Sequence, residues 1–340
     1  VPERFVLSIN EKAFLKDLST RPLTVKQFIE HALYHPLNGY YMTHPVFGAA
    51  GDYTTAPEMT QIFGELLAIW HLNYFAKLPT PPSSIALIEL GPGRGTLMAD
   101  MLRVFQRFPK FYDLLKVYLI EISPALKNIQ RQKLAGHPVE WVQTLEDTSP
   151  SDVTFIIANE FFDALPIEQY VWIDEHWQTR QVGFVDGNLD FLGPKDVPIR
   201  QSCPDYDVYM QAINQRLKTS RGAAVMIDYG DDTDVGHIHG DTLQALHQHR
   251  PTSPFENIGH QDLSHAVDFG ALKRQVDPIL KTHLTTQRDF LLQLGLEQRL
   301  MALCQQAPPY EAMALKTAVA RLVAPSAMGT LFKVLTIQTP

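Results

Sequence analysis

The run Ile85-Ala86-Leu87-Ile88-Glu89-Leu90 leads straight into Gly91-Pro92-Gly93-Arg94-Gly95 and then into the amphipathic stretch from Thr96 to Phe108. A short, continuously apolar run that ends in glycines and a helical period reads as a buried strand, a tight turn and a helix, which is half of a βαβ unit. The same alternation recurs downstream. It predicts strand Val117 to Glu121, helix Pro124 to Ala135, strands Val139 to Val142 and Val153 to Asn159, helix Asp205 to Ser220, strand Ala223 to Ile227 and a closing strand Leu331 to Ile337. Strands that are apolar along their whole length need cover on both faces, so the chain is predicted to be an α/β protein on a mostly parallel sheet. Tyr170 to Leu192 alternates apolar and polar residues around Asp186-Gly187-Asn188, the signature of an inserted hairpin. Residues 231–265 read as a Gly-, Asp- and His-rich loop, and Gln287 to Gln305 as one helix.

Pro79-Thr80-Pro81-Pro82-Ser83-Ser84 punctuates the chain and divides a helical segment, 1–79, from a core, 80–340, with insertions at about 168–193 and 231–325. Within the first segment Thr24 is placed to cap a helix over Val25-Lys26-Gln27-Phe28-Ile29, Met59 to Ala76 has helical spacing, and residues 36–57 between them are loop-rich. A length of 340 residues suits one large domain or two, and 45% hydrophobic against 19% charged residues suits a folded enzyme rather than a solvated chain. The net charge of -8, from 37 acids and 29 bases, disfavours a duplex binder that neutralises many phosphates, so no nucleic acid partner is expected. No apolar run nears the roughly 20 residues of a membrane span, and Val1-Pro2-Glu3-Arg4 has no signal-peptide apolar core, so no membrane insertion is expected. Cys203 and Cys304 lack metal or redox spacing and read as free thiols of a reducing compartment.

Ligands of open α/β sheets bind beyond the carboxyl ends of the strands, where glycine lets backbone approach them closely. Two nucleoside cofactors compete for the Gly91, Pro92, Gly93, Gly95 loop. A dinucleotide fingerprint would need its third glycine where Thr96 stands, and Glu89 two residues ahead of the loop would repel a pyrophosphate. The same carboxylate suits an amino or sulfonium cation, so the spacing favours S-adenosylmethionine. Glu121, about 30 residues on at the end of the next strand, is in register to accept hydrogen bonds from ribose hydroxyls. At the end of Val153 to Asn159 the lip Asn159-Glu160-Phe161-Phe162-Asp163 offers an amide and two carboxylates to an acceptor, with Phe161 and Phe162 read as core. Glu160 is the candidate to orient a guanidinium and keep lone-pair character on its attacking nitrogen, with a helix-start acid as the alternative reading. Gly51-Asp52-Tyr53-Thr54-Thr55-Ala56-Pro57-Glu58 reads locally as a helix start capped by Thr54 or Thr55. His237, His239, His247, His249, His260 and His265 lie close in sequence, but methyl transfer to nitrogen needs no Lewis acid, and no metal is assigned.

Taken in order, Gly51-Asp52-Tyr53-Thr54-Thr55-Ala56-Pro57-Glu58, Glu89-Leu90-Gly91-Pro92-Gly93-Arg94-Gly95-Thr96-Leu97 and Asn159-Glu160-Phe161-Phe162-Asp163-Ala164-Leu165-Pro166 resemble the MidA family of S-adenosylmethionine-dependent methyltransferases. Glu121-Ile122-Ser123-Pro124, Ile227-Asp228-Tyr229-Gly230, Gly240-Asp241-Thr242-Leu243-Gln244, Asp262-Leu263-Ser264 and Phe332-Lys333-Val334-Leu335 extend the resemblance from about residue 20 to the C-terminus. It implies a class I, Rossmann-like methyltransferase core with an N-terminal helical segment and inserted hairpin and helices. The family includes a mitochondrial complex I assembly factor and bacterial relatives, which implies an arginine-bearing protein substrate such as a complex I core subunit. The compartment implied is the mitochondrial matrix or the bacterial cytoplasm, according to lineage, and a homodimer is compatible. By position, Glu89, Gly91, Pro92, Gly93 and Gly95 would hold the donor's methionine part, Glu121 and Ile122 its nucleoside, and Asp52, Tyr53, Thr54 and Thr55 would close over it. Asn159, Glu160 and Asp163 would carry the catalytic roles. Where relatives often read Thr-Ala-His-Val-Asp-Phe this chain has Ser264-His265-Ala266-Val267-Asp268-Phe269, and no catalytic histidine is assigned. A non-catalytic chaperone that keeps the donor fold stays open, as does a nicotinamide oxidoreductase.

Overall fold

A computed structural model describes residues 21–43, 55–233 and 237–340. Helix α1 (Val25–Tyr34) opens on the capping box expected of Thr24: its Oγ1 accepts the Gln27 N–H at 3.2 Å while Gln27 Oε1 accepts the Thr24 N–H at 3.1 Å. The helix expected from Met59 is broken. Thr55 precedes a short turn of helix over Ala56–Met59 without a side-chain cap bond, and Thr60, extended at ψ 139, caps the long helix α2 (Gln61–Ala76) through the Ile62 N–H.

The core follows in the expected alternation: β1 (Ile85–Leu90), α3 (Thr96–Phe105), β2 (Leu115–Ile120), α4 (Pro124–Lys133), β3 (Val139–Val142), β4 (Val153–Asn159), α5 (Asp205–Thr219), β5 (Arg221–Asp231), β6 (Lys281–Thr286) and β7 (Phe332–Gln338). These strands lie side by side as β3-β2-β1-β4-β5-β7-β6, and the short Val267–Asp268 pairs off the end of β5. Pairing is parallel from β3 through β5, and β7 runs antiparallel to both of its neighbours. Because the chain leaves β1 for β2 on one side and reaches β4 on the other, the strand order reverses at the exits of β1 and β4, which opens a crevice there. Alternation along β1 divides its side chains between two apolar clusters. Ile85 and Leu87 face one, packed under α2 and α3, and Ala86, Ile88 and Leu90 face the other, packed under α1 and α5. Burial of every residue of β1 and β4 fixes their register, because a slip of one residue would exchange the two sets.

The insertions are more structured than expected. Around the hairpin at Asp186-Gly187 the chain forms four strands, Glu168–Ile173, His176–Thr179, Gln181–Val185 and Asn188–Phe191, and a fifth at Ile199–Ser202. The expected loop 231–265 contains a three-stranded sheet of Gln244–His247, Arg250–Thr252 and Asp262–Ser264. The single helix expected over Gln287 to Gln305 is two, Gln287–Gln293 and Leu296–Gln306, because Gly295 adopts φ +90, a conformation that ends one helix and begins another.

Candidate active site

Glycines at the exit of β1 bend the chain through left-handed backbone, with φ of +61 at Gly91, +53 at Gly93 and +73 at Gly95. A side chain at Gly91 would put its Cβ 2.7 Å from the Phe161 ring, so glycine is required by both space and conformation. Gly95, expected on the donor, is not among the residues that line the two cavities beside the loop, and it packs against Gln130 and Leu134 at the start of α3. Two neighbouring cavities flank the loop. The smaller is walled by Thr55, Glu89, Pro92, Arg94, Asn159 and Glu160, the larger, of about 330 Å³, by Glu121, Ile122, Glu160, Asp163 and residues of the N-terminal segment, and both touch Thr55, Gly91, Gly93 and Glu160.

Glu89 sits on β1 between β2 and β4, only 2% exposed, and its Oε2 has no hydrogen-bond partner among the described residues. Burial, and then the Glu121 carboxylate, pushes its pKa up to about 8. An acid kept neutral in this way is stabilised in its charged form when a cation enters. Asn159 Oδ1, on the same cavity wall, is also buried without a partner among the described residues, while its Nδ2 donates to Glu160 Oε1 at 3.2 Å. Two orphaned acceptors beside a glycine turn fit the amino-acid end of a cationic methyl donor.

Glu121 follows β2 directly. Its Oε1 accepts the Ser123 N–H at 2.8 Å and its Oε2 accepts Gln130 Nε2 at 3.1 Å, which leaves lone pairs on both oxygens for a diol. Gln130, which no motif marked, also donates to the Gly93 carbonyl at 2.6 Å and accepts the Trp141 indole N–H at 2.7 Å, so one buried amide locks the acid to the glycine loop.

Glu160 lies one residue past β4 at φ +49, an uncommon conformation for a residue with a Cβ, held by its own N–H donating to the Ile227 carbonyl at 2.8 Å. Its Oε1 accepts the Ala56 N–H at 3.1 Å, so the expected helix-start role is met by a short helix distant in sequence. Burial raises the Glu160 pKa to about 7 against the pull of the Ala56 and Asn159 N–H donors. Asp163, on the next turn, is pushed well above the carboxylate range by burial and then by Asp228, Asp262 and Glu160. Asp228 accepts the N–H groups of Phe162 and Asp163, both at 3.1 Å, and of Tyr229 at 2.9 Å. Those donors only oppose the effect of burial and of Glu160, which push the Asp228 pKa well above the carboxylate range as well.

Sequence motifs included Asp228 and Asp262 without assigning them a role. Asp262 lines the larger cavity and accepts the Tyr41 hydroxyl at 2.9 Å, while Tyr34 donates to the Ala164 carbonyl at 2.7 Å and stacks on Tyr41 at 5.7 Å. Phe161, expected in the core, lines this cavity with Tyr209 edge-on at 5.0 Å, and Phe162 is the buried one. Asp52, Tyr53 and Thr54 lie outside the described residues. Both ring nitrogens of His265 lie 3.0 Å from backbone carbonyls, of Ala266 and Leu165, and burial lowers its pKa to about 4 against the pull of those carbonyls, so the neutral ring donates to one of the two and is held inside the fold. Cys203 is buried, and burial pushes its thiol up to about 12, far from a nucleophile's range.

The order of the strands, the antiparallel β7, the glycine turn at β1 and the acid after β2 define a class I S-adenosylmethionine-dependent methyltransferase. Residues 66–286 match a family model described as S-adenosyl-L-methionine-dependent methyltransferase. The chain is 33% identical over 331 residues to "Protein arginine methyltransferase NDUFAF7, mitochondrial" of Xenopus tropicalis, covering 85% of this chain and 76% of the relative. The Homo sapiens protein of the same name is 32% identical over 332 residues, covering 85% and 74%. A crystal structure from Burkholderia thailandensis bound to S-adenosyl-homocysteine superposes with a TM-score of 0.81 at 22% identity, covering 98% of this chain and 94% of that one. The chain belongs to the MidA-like family of S-adenosylmethionine-dependent methyltransferases. No helix among the described residues is long and apolar enough to cross a membrane.

Proposed function

We propose that this chain methylates arginine in a protein substrate, with Glu160 as the residue that faces the reacting nitrogen. The observation that carries this reading is the make-up of the larger cavity, which Glu160, Asp163 and Asp262 line together with Tyr34, Tyr41 and Tyr209 beside the glycine turn. A planar cation is the complement of such a wall: carboxylates pair with its N–H edges and tyrosine rings accept its face. The name of the relatives, protein arginine methyltransferase, supports the same acceptor. A complex I subunit or its bacterial counterpart is the substrate this reading favours. The matrix of a mitochondrion, or the cytoplasm of a bacterium, is the compartment it fits.

When bound, S-adenosylmethionine supplies an electrophilic methyl on a sulfonium. Glu89 and Asn159 would offer acceptors to its amino-acid end and Glu121 to its ribose, and Thr55, which lines both cavities, would lie beside it. Ionised Glu160 would pair with one edge of the guanidinium and so orient the attacking nitrogen. A guanidinium gaining a methyl must lose one proton to remain a monocation. Glu160 is placed to take it, because its pKa of about 7 lies near working pH. Protonated Asp163 supplies a hydrogen-bond donor without adding a second buried charge.

Tritiated methyl recovered as methylarginine, after incubation of the purified chain and labelled donor with protein from cells lacking the gene, is the expected result. Label in lysine or in no residue would reject the arginine reading. The rate should also fall as pH drops through about 7, since the carboxylate form is lost on the acid side of a raised pKa. A flat profile between pH 6 and 8 would take the proton-accepting role from Glu160.

A further inference from the structure

The inserted sheet carries an outward face that the methyl-transfer site does not use. Its strands lie in the order Ile238–His239, Ile199–Ser202, Glu168–Ile173, His176–Thr179. Gln169, Val171, Gln201 and Ile238 are buried, so the alternate residues point the other way. Register sets His239 opposite Arg200, Arg200 opposite Tyr170, and Trp172 opposite Trp177. On this face the Trp172 and Trp177 rings meet edge to face at 5.3 Å, and the Arg200 guanidinium lies 4.5 Å from the Trp177 ring centre and 5.3 Å from that of Tyr170. Trp172 remains 39% exposed. Trp, Tyr and Arg gathered on an open surface are the residue types in which binding energy concentrates at protein interfaces.

From this face we infer a docking surface for the polypeptide that carries the acceptor arginine, an inference that rests on the arginine reading above. Continuity with the acceptor cavity is the first ground. Glu168 shares the outward face with Tyr170 and Trp172, and its carboxyl is within electrostatic reach of Lys26 and Glu30. Glu30 lines the cavity, Lys26 bridges Glu30 and the cavity residue Asp205, and Glu168 is paired with Ser202, three residues before Asp205. Trp172 is thus four residues, about 13 Å, along the strand from the rim. An extended substrate with its arginine in the cavity would reach the tryptophans about four to six residues away.

Area supplies the second ground. The four strands, two, four, six and four residues long in sheet order and about 4.8 Å apart, offer roughly 250 Å² on this side, or about 500 Å² counting both partners. Stable dimers need more than about 1,200 Å², so a second copy is poorly served, whereas an enzyme that must release its product needs only a transient grip. The complementary chemistry is an apolar side chain to stack on Trp172 and Trp177 and a carboxylate for Arg200.

The test titrates the purified full chain and tritiated S-adenosylmethionine against serial dilutions of total protein from cells lacking the gene, and reads tritiated methylarginine. Trp172→Ala and Arg200→Ala should each raise the half-saturating protein concentration about tenfold or more, leave the rate at saturation near wild type, and leave donor affinity by calorimetry unchanged. Trp172→Phe should recover most of the loss, and unchanged donor affinity separates a docking defect from misfolding. Wild-type saturation curves for both alanine variants would overturn the docking surface and leave the arginine reading intact. Absence of methylarginine with the wild-type chain would overturn both. A dimer that Trp172→Ala converts to monomer, with the saturation curve unmoved, would assign the face to a second copy instead.

Discussion

Glu160→Gln should lower turnover by about 10²- to 10⁴-fold while leaving donor affinity within about threefold of wild type, the range set by loss of a positioned general base. The two halves of this expectation come from different contacts. A glutamine oxygen can still accept the Ala56 N–H and the Asn159 amide, so the local backbone and the smaller cavity keep their shape. What is lost is the negative charge facing the larger cavity and the capacity to take up a proton. The left-handed backbone at φ +49 is retained, because Gln and Glu differ in charge and not in the Cβ that makes the conformation uncommon. Stability should hold or rise slightly, since a buried acid whose ionised form is disfavoured is replaced by a neutral amide. Single-turnover rates with saturating donor, paired with calorimetry, separate the two halves. Turnover within about threefold of wild type would remove Glu160 from the mechanism and pass its role to Asp163 or Asp262.

Gly91→Val should reduce donor affinity about 100-fold or more, equivalent to about 3 kcal/mol. A β-branched residue at φ +61 is strained on its own account. Its Cβ would also stand 2.7 Å from Phe161, whose ring must shift away. That ring separates the glycine turn from Tyr209, so relaxation in this direction disturbs the acceptor cavity as well. If instead the loop moves, it leaves the position in which the Gly91 N–H donates to the Ile120 carbonyl at 3.1 Å, and the two strand exits no longer line up. Donor affinity within about fivefold of wild type, with the fold intact by circular dichroism, would show that the turn does not contact the donor.

How far the chain was legible depended on which physical signal each part carries. Buried parallel strands are continuous apolar runs, and β1, β3 and β4 stand at the residues expected, while β2 begins two residues early at Leu115 and β5 runs on both sides of Ala223 to Ile227. Hairpins were legible only where glycine marked the turn. Asp186-Gly187, with φ of 49 and 83, was visible, whereas Asp174-Glu175 at 50 and 65 and Gln248-His249 at 50 and 61 adopt the same left-handed pair with residues that seldom do. Their strands therefore went unread. The helix Pro309–Val323 was also missed, because it buries only Val319 and Leu322 and so has little apolar period to detect.

The site divides in the same way. Glu89, Gly91, Gly93 and Glu121 are fixed relative to strands that the pattern locates, and they converge on the crevice at the β1 and β4 exits. Tyr34, Tyr41 and Asp262 arrive from segments separated by more than 200 residues, as in the bond from the Tyr41 hydroxyl to Asp262. Only the folded chain brings them together. Gln130 is an ordinary helical glutamine in sequence, and its role in tying Glu121 to Gly93 follows from the crossing of α4 behind the loop.

At pH 7 the purified chain can be titrated with S-adenosylmethionine in buffers of different ionisation heat, which counts the protons exchanged for each donor bound. Glu89, with its pKa raised to about 8, holds its proton until a cation arrives, so close to one proton should be expelled from the carboxyl. Binding without proton release, or tight binding of a nicotinamide dinucleotide where the methyl donor fails, would contradict a crevice built around Glu89 for a cationic nucleoside.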